Sequence, residues 1–208
     1  MRGYFITFEG GEGSGKSTHA ATLAQRLKAL GIEVVLTREP GGSTGAEIIR
    51  HILLSGLTKP LGAETEAILF AAARDDHMRS TILPALKAGK WVVSDRFIDS
   101  TRVYQGAIGN VDPRLIRSLE RVTVGRAVPD LTFILDLSPG DGLARAGGRG
   151  DSENRFERFD AEFHARLRAG FLDIAAREAR RCIVLDAART RSEIADEIWR
   201  IVSERLRP

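Results

Sequence analysis

Residues 10–17 read GGEGSGKS, so a lysine and a hydroxyl follow four glycines at the spacing G-x-x-x-x-G-K-[ST]. The chemistry of that arrangement is polyphosphate capture. Glycines let successive backbone N–H groups turn inward, the lysine ammonium reaches the outer phosphates, and the serine hydroxyl can ligate Mg2+. The expected nucleotide-binding set is Gly10, Gly11, Glu12, Gly13, Ser14, Gly15, Lys16, Ser17 and Thr18. Such a loop implies a nucleoside triphosphate, but switches, motors and transporters carry it as well as kinases.

Two acids could assist the metal. Asp95 follows the apolar WVVS and Asp136 lies within LTFILDL, and an aspartate on an apolar strand does not by itself choose between them. Asp95 is the better placed, because Arg96 follows at once and could hold a phosphate beside an acid that orients Mg2+, directly or through water. Transfer between two anions also needs positive charge on the acceptor side. Arg38 ends the second apolar run in TREPGG, Arg74 lies in FAAARDD, and Arg38 and Arg96 could converge on one acceptor phosphate at the carboxyl ends of their strands.

Positioning these groups requires alternating strands and helices. Short apolar runs at residues 4–8, 32–37, 91–94, 131–137 and 182–185 suit buried parallel strands. Between them, Ala20, Leu23, Ala24, Leu27 and Leu30 recur at helical spacing and stop at Gly31. Asp112-Pro113 reads as an N-cap with proline at the first helical position, leading into Leu115, Ile116, Leu119 and Val122. Phe156, Phe159, Phe163, Leu167, Phe171 and Ile174 stripe a long charged helix, and Ile194, Ile198, Ile201 and Val202 another. The expected class is α/β, an open, doubly wound, parallel five-stranded sheet flanked by helices.

Composition narrows the function. The 208 residues are 43% hydrophobic and 28% charged with a net charge of +3, which suits one globular domain with an anionic ligand and lacks the polybasic tail of a nucleic-acid binder. No run of 18 apolar residues or signal-like N-terminus is present, so neither membrane nor secretion is expected. Cys182 is the one cysteine and lies in apolar RCIVLD, where a buried core thiol in a reducing cytoplasm is expected.

In order along the chain, FEGGEGSGKST, TREPGG, FAAAR, SDRFIDSTRVYQG, VPDLTFILDL and ARAGGRGDSENRFE resemble the bacterial thymidylate kinases over nearly the whole length. TREPGG with DRF and YQG is far more specific than the phosphate loop. The resemblance implies a P-loop nucleoside monophosphate kinase fold in a single domain, 1–208, with a mobile lid over about residues 144–158. It implies transfer of the ATP γ-phosphate to thymidine 5′-monophosphate (dTMP) in dTTP synthesis, with Mg2+, in a cytoplasmic homodimer. On the acceptor side Phe70 would stack on thymine, Arg74 would bond a base carbonyl, and Arg38 and Arg96 would hold the phosphate beside Pro40. Glu9 would lie near the acceptor sugar and phosphate. Ser100, Tyr104 and Gln105 would surround sugar and base, the Tyr104 ring crowding the 2′ position.

The same resemblance divides the family by the origin of its catalytic arginine, from the phosphate loop or from the lid. Glu12 stands where a loop arginine would sit, and Arg145, Arg149 and Arg155 lie in or beside GGRGDSEN, so the lid version is expected, with Arg149 first and Arg155 second. Val103 replaces a commoner alanine and would narrow the sugar pocket or do nothing. Another nucleoside or nucleotide kinase is the alternative enzyme. A P-loop switch ATPase is the alternative from another class, although no N-K-x-D guanine signature is present and a switch would leave the acceptor-side arginines unexplained.

Overall fold

The computed structural model describes residues 2–147 and 160–208. In chain order the elements are β1 (Phe5–Glu9), α1 (Lys16–Ala29), β2 (Val34–Arg38), α2 (Thr44–Leu54), α3 (Gly62–His77), α4 (Leu83–Lys87), β3 (Trp91–Asp95), α5 (Ile98–Thr101), α6 (Pro113–Thr123), β4 (Leu131–Asp136), α7 (Pro139–Gly147), α8 (Ala161–Arg177), β5 (Cys182–Asp186) and α9 (Arg191–Leu206). Two π-helical stretches, Met78–Ile82 and Arg102–Ile108, continue α3 and α5.

The strands form one parallel sheet in the order β2-β3-β1-β4-β5. Strand periodicity of two sends alternate β1 residues to opposite faces. Ile6 and Phe8 join Leu23 and Leu27 of α1 and Ile198 and Val202 of α9 in one core layer. Phe5 packs on the other face with Met78, Ile82 and Phe97. Glu9 shares the parity of Phe5, so its carboxylate is delivered beneath α5 rather than toward α1. A third cluster, Tyr104, Ile134, Leu167, Phe171 and Cys182, seats α8 on β4 and β5. The connection from β1 runs past β3 to β2, whereas the connection from β3 runs the other way past β1 to β4, and that reversal opens a crevice at the carboxyl ends of β1 and β3.

The open doubly wound parallel sheet is as expected, and differences lie at element ends. Arg38 and Asp95 close β2 and β3 from within, because each strand extends its ladder by one pair, Arg38 opposite Asp95. Asp112 caps α6 as predicted, accepting from the Arg114 amide at 2.7 Å, with Pro113 in the first turn. Leu30 and Val122, expected in apolar stripes, are 57% and 73% exposed. Leu30 sits past the last α1 turn that meets the sheet, and Val122 faces away from the Ile116 contact with α3. Phe156 and Phe159 fall outside the described residues. Among the described residues no helix is long and apolar enough to cross a membrane. Cys182 is a buried free thiol that burial pushes up to about 12, as expected of a core cysteine.

Candidate active site

The loop after β1 folds as the glycines dictate. Gly13 has φ +69°, and a Cβ there would lie 2.1 Å from the Gly142 carbonyl oxygen, so the loop lies backbone to backbone on α7. A Cβ on Gly10 would lie 2.5 Å from the Leu135 carbonyl at the end of β4. Gly15 then opens α1 without any side-chain cap, which leaves the first-turn amides of that helix free for an anion.

Lys16 turns back into this loop. Its buried ammonium donates to the Gly11 carbonyl at 2.6 Å. Burial, then the Arg96 charge, holds it down to about 8, against the pull of Glu12, Asp95 and Glu9. One residue on, the Ser17 hydroxyl donates to Asp95 Oδ2 across the crevice. The buried Asp95 Oδ1 has no hydrogen-bond partner among the described residues. A hydroxyl beside a carboxylate with one oxygen to spare is a hard-oxygen donor set that fits Mg2+, and no group of three or more His, Cys, Asp or Glu side chains forms an all-protein cage among the described residues. Asp136, the alternative acid, is engaged by the Arg168 guanidinium through two hydrogen bonds of 2.6 and 2.9 Å, while the Ser17 hydroxyl goes to Asp95.

Arg96 occupies the centre. Its backbone adopts φ +67°, a left-handed conformation unusual outside glycine and held here by the Arg96 amide donating to Phe8 O and the Ser94 hydroxyl donating to Arg96 O. That turn throws the guanidinium back over the loop. It donates to Glu12 Oε1 at 2.6 Å, Ser100 Oγ at 3.2 Å and Gly10 O at 3.3 Å, and lies 5.3 Å from the Tyr104 ring centroid. The Tyr104 hydroxyl donates to the same Glu12 oxygen at 2.8 Å. Burial pushes Glu12 up, but Arg96, Lys16 and the Tyr104 hydrogen bond prevail and hold it down to about 2. A carboxylate thus lies between the lysine and the arginine that were expected to hold phosphates.

Glu9 is fully buried and anchors the start of α5: it accepts from the Phe97 amide at 2.8 Å, the Ser100 amide at 3.2 Å and the Ser100 hydroxyl at 2.7 Å. Burial, then Asp99, pushes it up to about 7, against the hydrogen bond from Ser100 and the Arg96 charge. Tyr104 and Gln105 are carried by the π-helical stretch, a feature frequent at functional sites and invisible to a 3.6-residue periodicity.

The remaining expected residues lie around this cluster. Phe70, half-buried, and Arg74, buried, stand one turn apart on α3. Arg74 donates to Glu39 Oε2 at 2.8 Å and Thr101 Oγ1 at 2.9 Å. Arg38 is 55% exposed and paired with Glu47 of α2 at 3.3 Å rather than with Arg96's partners. Pro40 follows a cis peptide bond, and its carbonyl accepts from Arg50 at 2.7 Å. Arg145 donates to the Ala187 carbonyl at 2.8 Å, between β5 and α9. Arg149 and Arg155 lie outside the described residues. Val103 is buried with Tyr104, Leu167 and Phe171, and a Cβ on Gly170 of α8 would meet its Cγ1 at 2.7 Å.

Sequence reading passed over Glu39, His77, Thr101, Asp99 and Arg181, all buried and charged or hydrogen-bonding. The i, i+3 spacing of Arg74 and His77, which puts both on one helical face, was the available signal for the first group.

A parallel sheet with a phosphate loop at its reversal point, a lysine and serine aimed into that loop, and an arginine facing them from the next strand define a P-loop phosphotransferase. The family model described as thymidylate kinase matches residues 8–198. The chain is 56% identical over 207 residues to the thymidylate kinase of Bradyrhizobium sp. strain ORS 278, covering 99% of this chain and 92% of that protein. It is 54% identical to that of Nitrobacter winogradskyi strain Nb-255, covering 99% and 90%. The crystal structure of thymidylate kinase from Ehrlichia chaffeensis superimposes with a TM-score of 0.78 at 35% identity, over 97% of this chain and 99% of that one. The chain belongs to the thymidylate kinase family.

Proposed function

We infer that the protein transfers the γ-phosphoryl group of ATP to dTMP, giving ADP and dTDP in dTTP synthesis. Carrying this reading is the convergence of Lys16, on the Gly11 carbonyl, and Arg96, on the Glu12 carboxylate, at one phosphate loop. The loop from Gly10 to Thr18 binds the donor triphosphate, with the α1 amides and Lys16 on its phosphates. Ser17 and Asp95 hold Mg2+, Asp95 directly or through water, and when bound the ion neutralises charge on the transferred group. Arg96 and Arg38 hold the acceptor phosphate, for which Arg38 exchanges its exposed Glu47 partner. Phe70 stacks on thymine, Arg74 bonds the base carbonyl, and Pro40, Ser100, Tyr104, Gln105 and Glu9 shape the sugar and phosphate site. An acceptor phosphate oxygen is already anionic, so positioning and charge compensation suffice without a general base. Arg149, with Arg155 second, supplies positive charge to the transferred group from the lid.

Capture of the donor should be read out as a proton. With Lys16 near 8, about half the molecules at pH 8 carry a neutral amine, and a polyphosphate stabilises the ammonium form. Titration calorimetry of Mg2+–ATP in buffers of different ionisation enthalpy is expected to give uptake of up to about half a proton per site at pH 8 and almost none at pH 6 from this group. Equal uptake at both would remove Lys16 from the phosphate site.

Apolar Ile48 and Ile52 on α2 and Ile68 on the adjoining α3 are exposed, which supports a homodimer through α3 and its neighbours in a cytoplasmic enzyme. The deciding assay is ADP production from Mg2+–ATP with dTMP, dUMP, dCMP, dGMP, AMP or thymidine, each alone, repeated with chelator. The expected result is strong stimulation by dTMP, weak by dUMP, none by the others, and loss of turnover with chelator. Preference for thymidine or another monophosphate would overturn the acceptor, and hydrolysis indifferent to dTMP would favour a switch ATPase.

A further inference from the structure

Behind Arg74 lies a buried network that the transfer chemistry does not use. Glu39, at the turn after β2, divides its carboxylate between two residues on one face of α3: Oε2 accepts from Arg74 Nε at 2.8 Å, and Oε1 meets His77 Nδ1 at 3.1 Å. An ionised carboxylate can only accept, so Nδ1 carries the hydrogen. His77 Nε2 lies 2.7 Å from Thr37 Oγ1 of β2, and in the neutral ring it accepts from that hydroxyl. The imidazole has no exposure and no slack, since a Cβ on Gly42 would come within 2.3 Å of Nε2. Arg74 is further fixed through Nη2, to Thr101 Oγ1 at 2.9 Å and Phe97 O at 3.4 Å. Its Nη1 has no hydrogen-bond partner among the described residues, and that edge of the fork remains to be given to something else.

The geometry points to His77 as a positioning residue for recognition of the acceptor base. A carboxylate held at one oxygen can swing about its bond to the chain. Held at both, it fixes the plane of the guanidinium and hence the direction of the Nη1 donors. The proposal rests on the reading above, in which Arg74 bonds a base carbonyl. Such a donor selects dTMP over dCMP, whose amino group in place of a carbonyl would face it donor to donor, and the selection is only as sharp as the arginine is still. Thr37 extends the chain of contacts from Arg74 through Glu39 and His77 to β2, so the strand ending in Arg38 and the helix carrying Phe70 are held in one register.

A histidine that merely fills the core would affect stability and leave selectivity alone, and the test separates the two. Steady-state kinetics at saturating Mg2+–ATP would be measured for dTMP and dCMP in His77→Leu, His77→Asn, Thr37→Val and Arg74→Lys, with the melting temperature of each. His77→Leu is expected to raise KM for dTMP about 10-fold and to narrow the dTMP/dCMP ratio of kcat/KM by about as much, with kcat and KM for ATP within about 3-fold. His77→Asn, whose amide nitrogen can replace Nδ1, should restore most of the ratio, and Thr37→Val should narrow it about 3-fold. If His77→Leu does not fold, the asparagine and Thr37→Val variants carry the same comparison. A lower melting temperature with an unchanged ratio in the His77 and Thr37 variants, while Arg74→Lys narrows it, would overturn the role of His77 alone. An unchanged ratio in Arg74→Lys would overturn base reading by Arg74 itself.

Discussion

Arg96→Met is expected to lower kcat/KM for dTMP by on the order of 10³ while leaving KM for ATP within a few-fold, measured by coupled ADP release. In the function proposed above the side chain is the cationic centre of the acceptor side, and the structure fixes it from three directions: the strained left-handed backbone, Glu12 at 2.6 Å and Ser100 at 3.2 Å. Removing it takes away a charge-assisted donor from a buried site, where each such donor matters far more than in water. It also leaves Glu12 facing the incoming acceptor phosphate with only Lys16 and the Tyr104 hydroxyl to offset it. Arg96→Lys should recover little, because a single ammonium cannot serve Glu12, Ser100 and a phosphate at once. A change below 10-fold in Arg96→Met would place the acceptor phosphate elsewhere, with Arg38 the next candidate.

Arg181→Met is expected to cost about 3 kcal/mol of stability, equivalent to roughly 10 °C in Tm for a chain of this size. Arg181 bonds both oxygens of Asp99, at 2.7 and 2.8 Å, with Thr132 and Glu178 as further partners. Asp99 has no solvent exposure, so losing that guanidinium strands a buried charge with only Arg102, at 3.1 Å, to compensate. Adding Asp99→Asn should return part of the loss, and calorimetric melting of the single and double variants gives the coupling directly. A Tm within about 2 °C of the parent in Arg181→Met would mean that the interior relaxes to admit water or to re-pair Asp99.

How much of this was legible in the sequence follows from the range of each interaction. The phosphate loop, the strands and the α6 cap are written in consecutive or near-consecutive residues, and they appear where the pattern put them. The preference for Asp95 over Asp136 rested in the sequence on the adjoining Arg96 alone, and the partners of the two acids became visible only in the fold. Both end apolar strands, but the first faces Ser17 across the β1–β3 crevice and the second meets Arg168 of α8. The buried ionic groups were the hardest to foresee. Asp99 and Arg181 are 82 residues apart, and Glu39 and His77 are 38, so neither pair leaves a local signature. Val103 shows the same limit: the π-helical stretch that carries it buries it with Tyr104 in one cluster against Leu167 and Phe171 of α8, a packing over long sequence separation that the residues around it do not announce.

Cys182 gives the molecule a clock of its own. It is the sole sulfhydryl of the chain, sealed at the outer strand of the sheet beneath α8 and unreactive while burial keeps its proton in place. A thiol reagent in solution can consume it only when that strand and helix part, so the rate of labelling under native conditions reads the opening frequency of one margin of the enzyme. No probe has to be installed to watch that margin tighten as nucleotides bind.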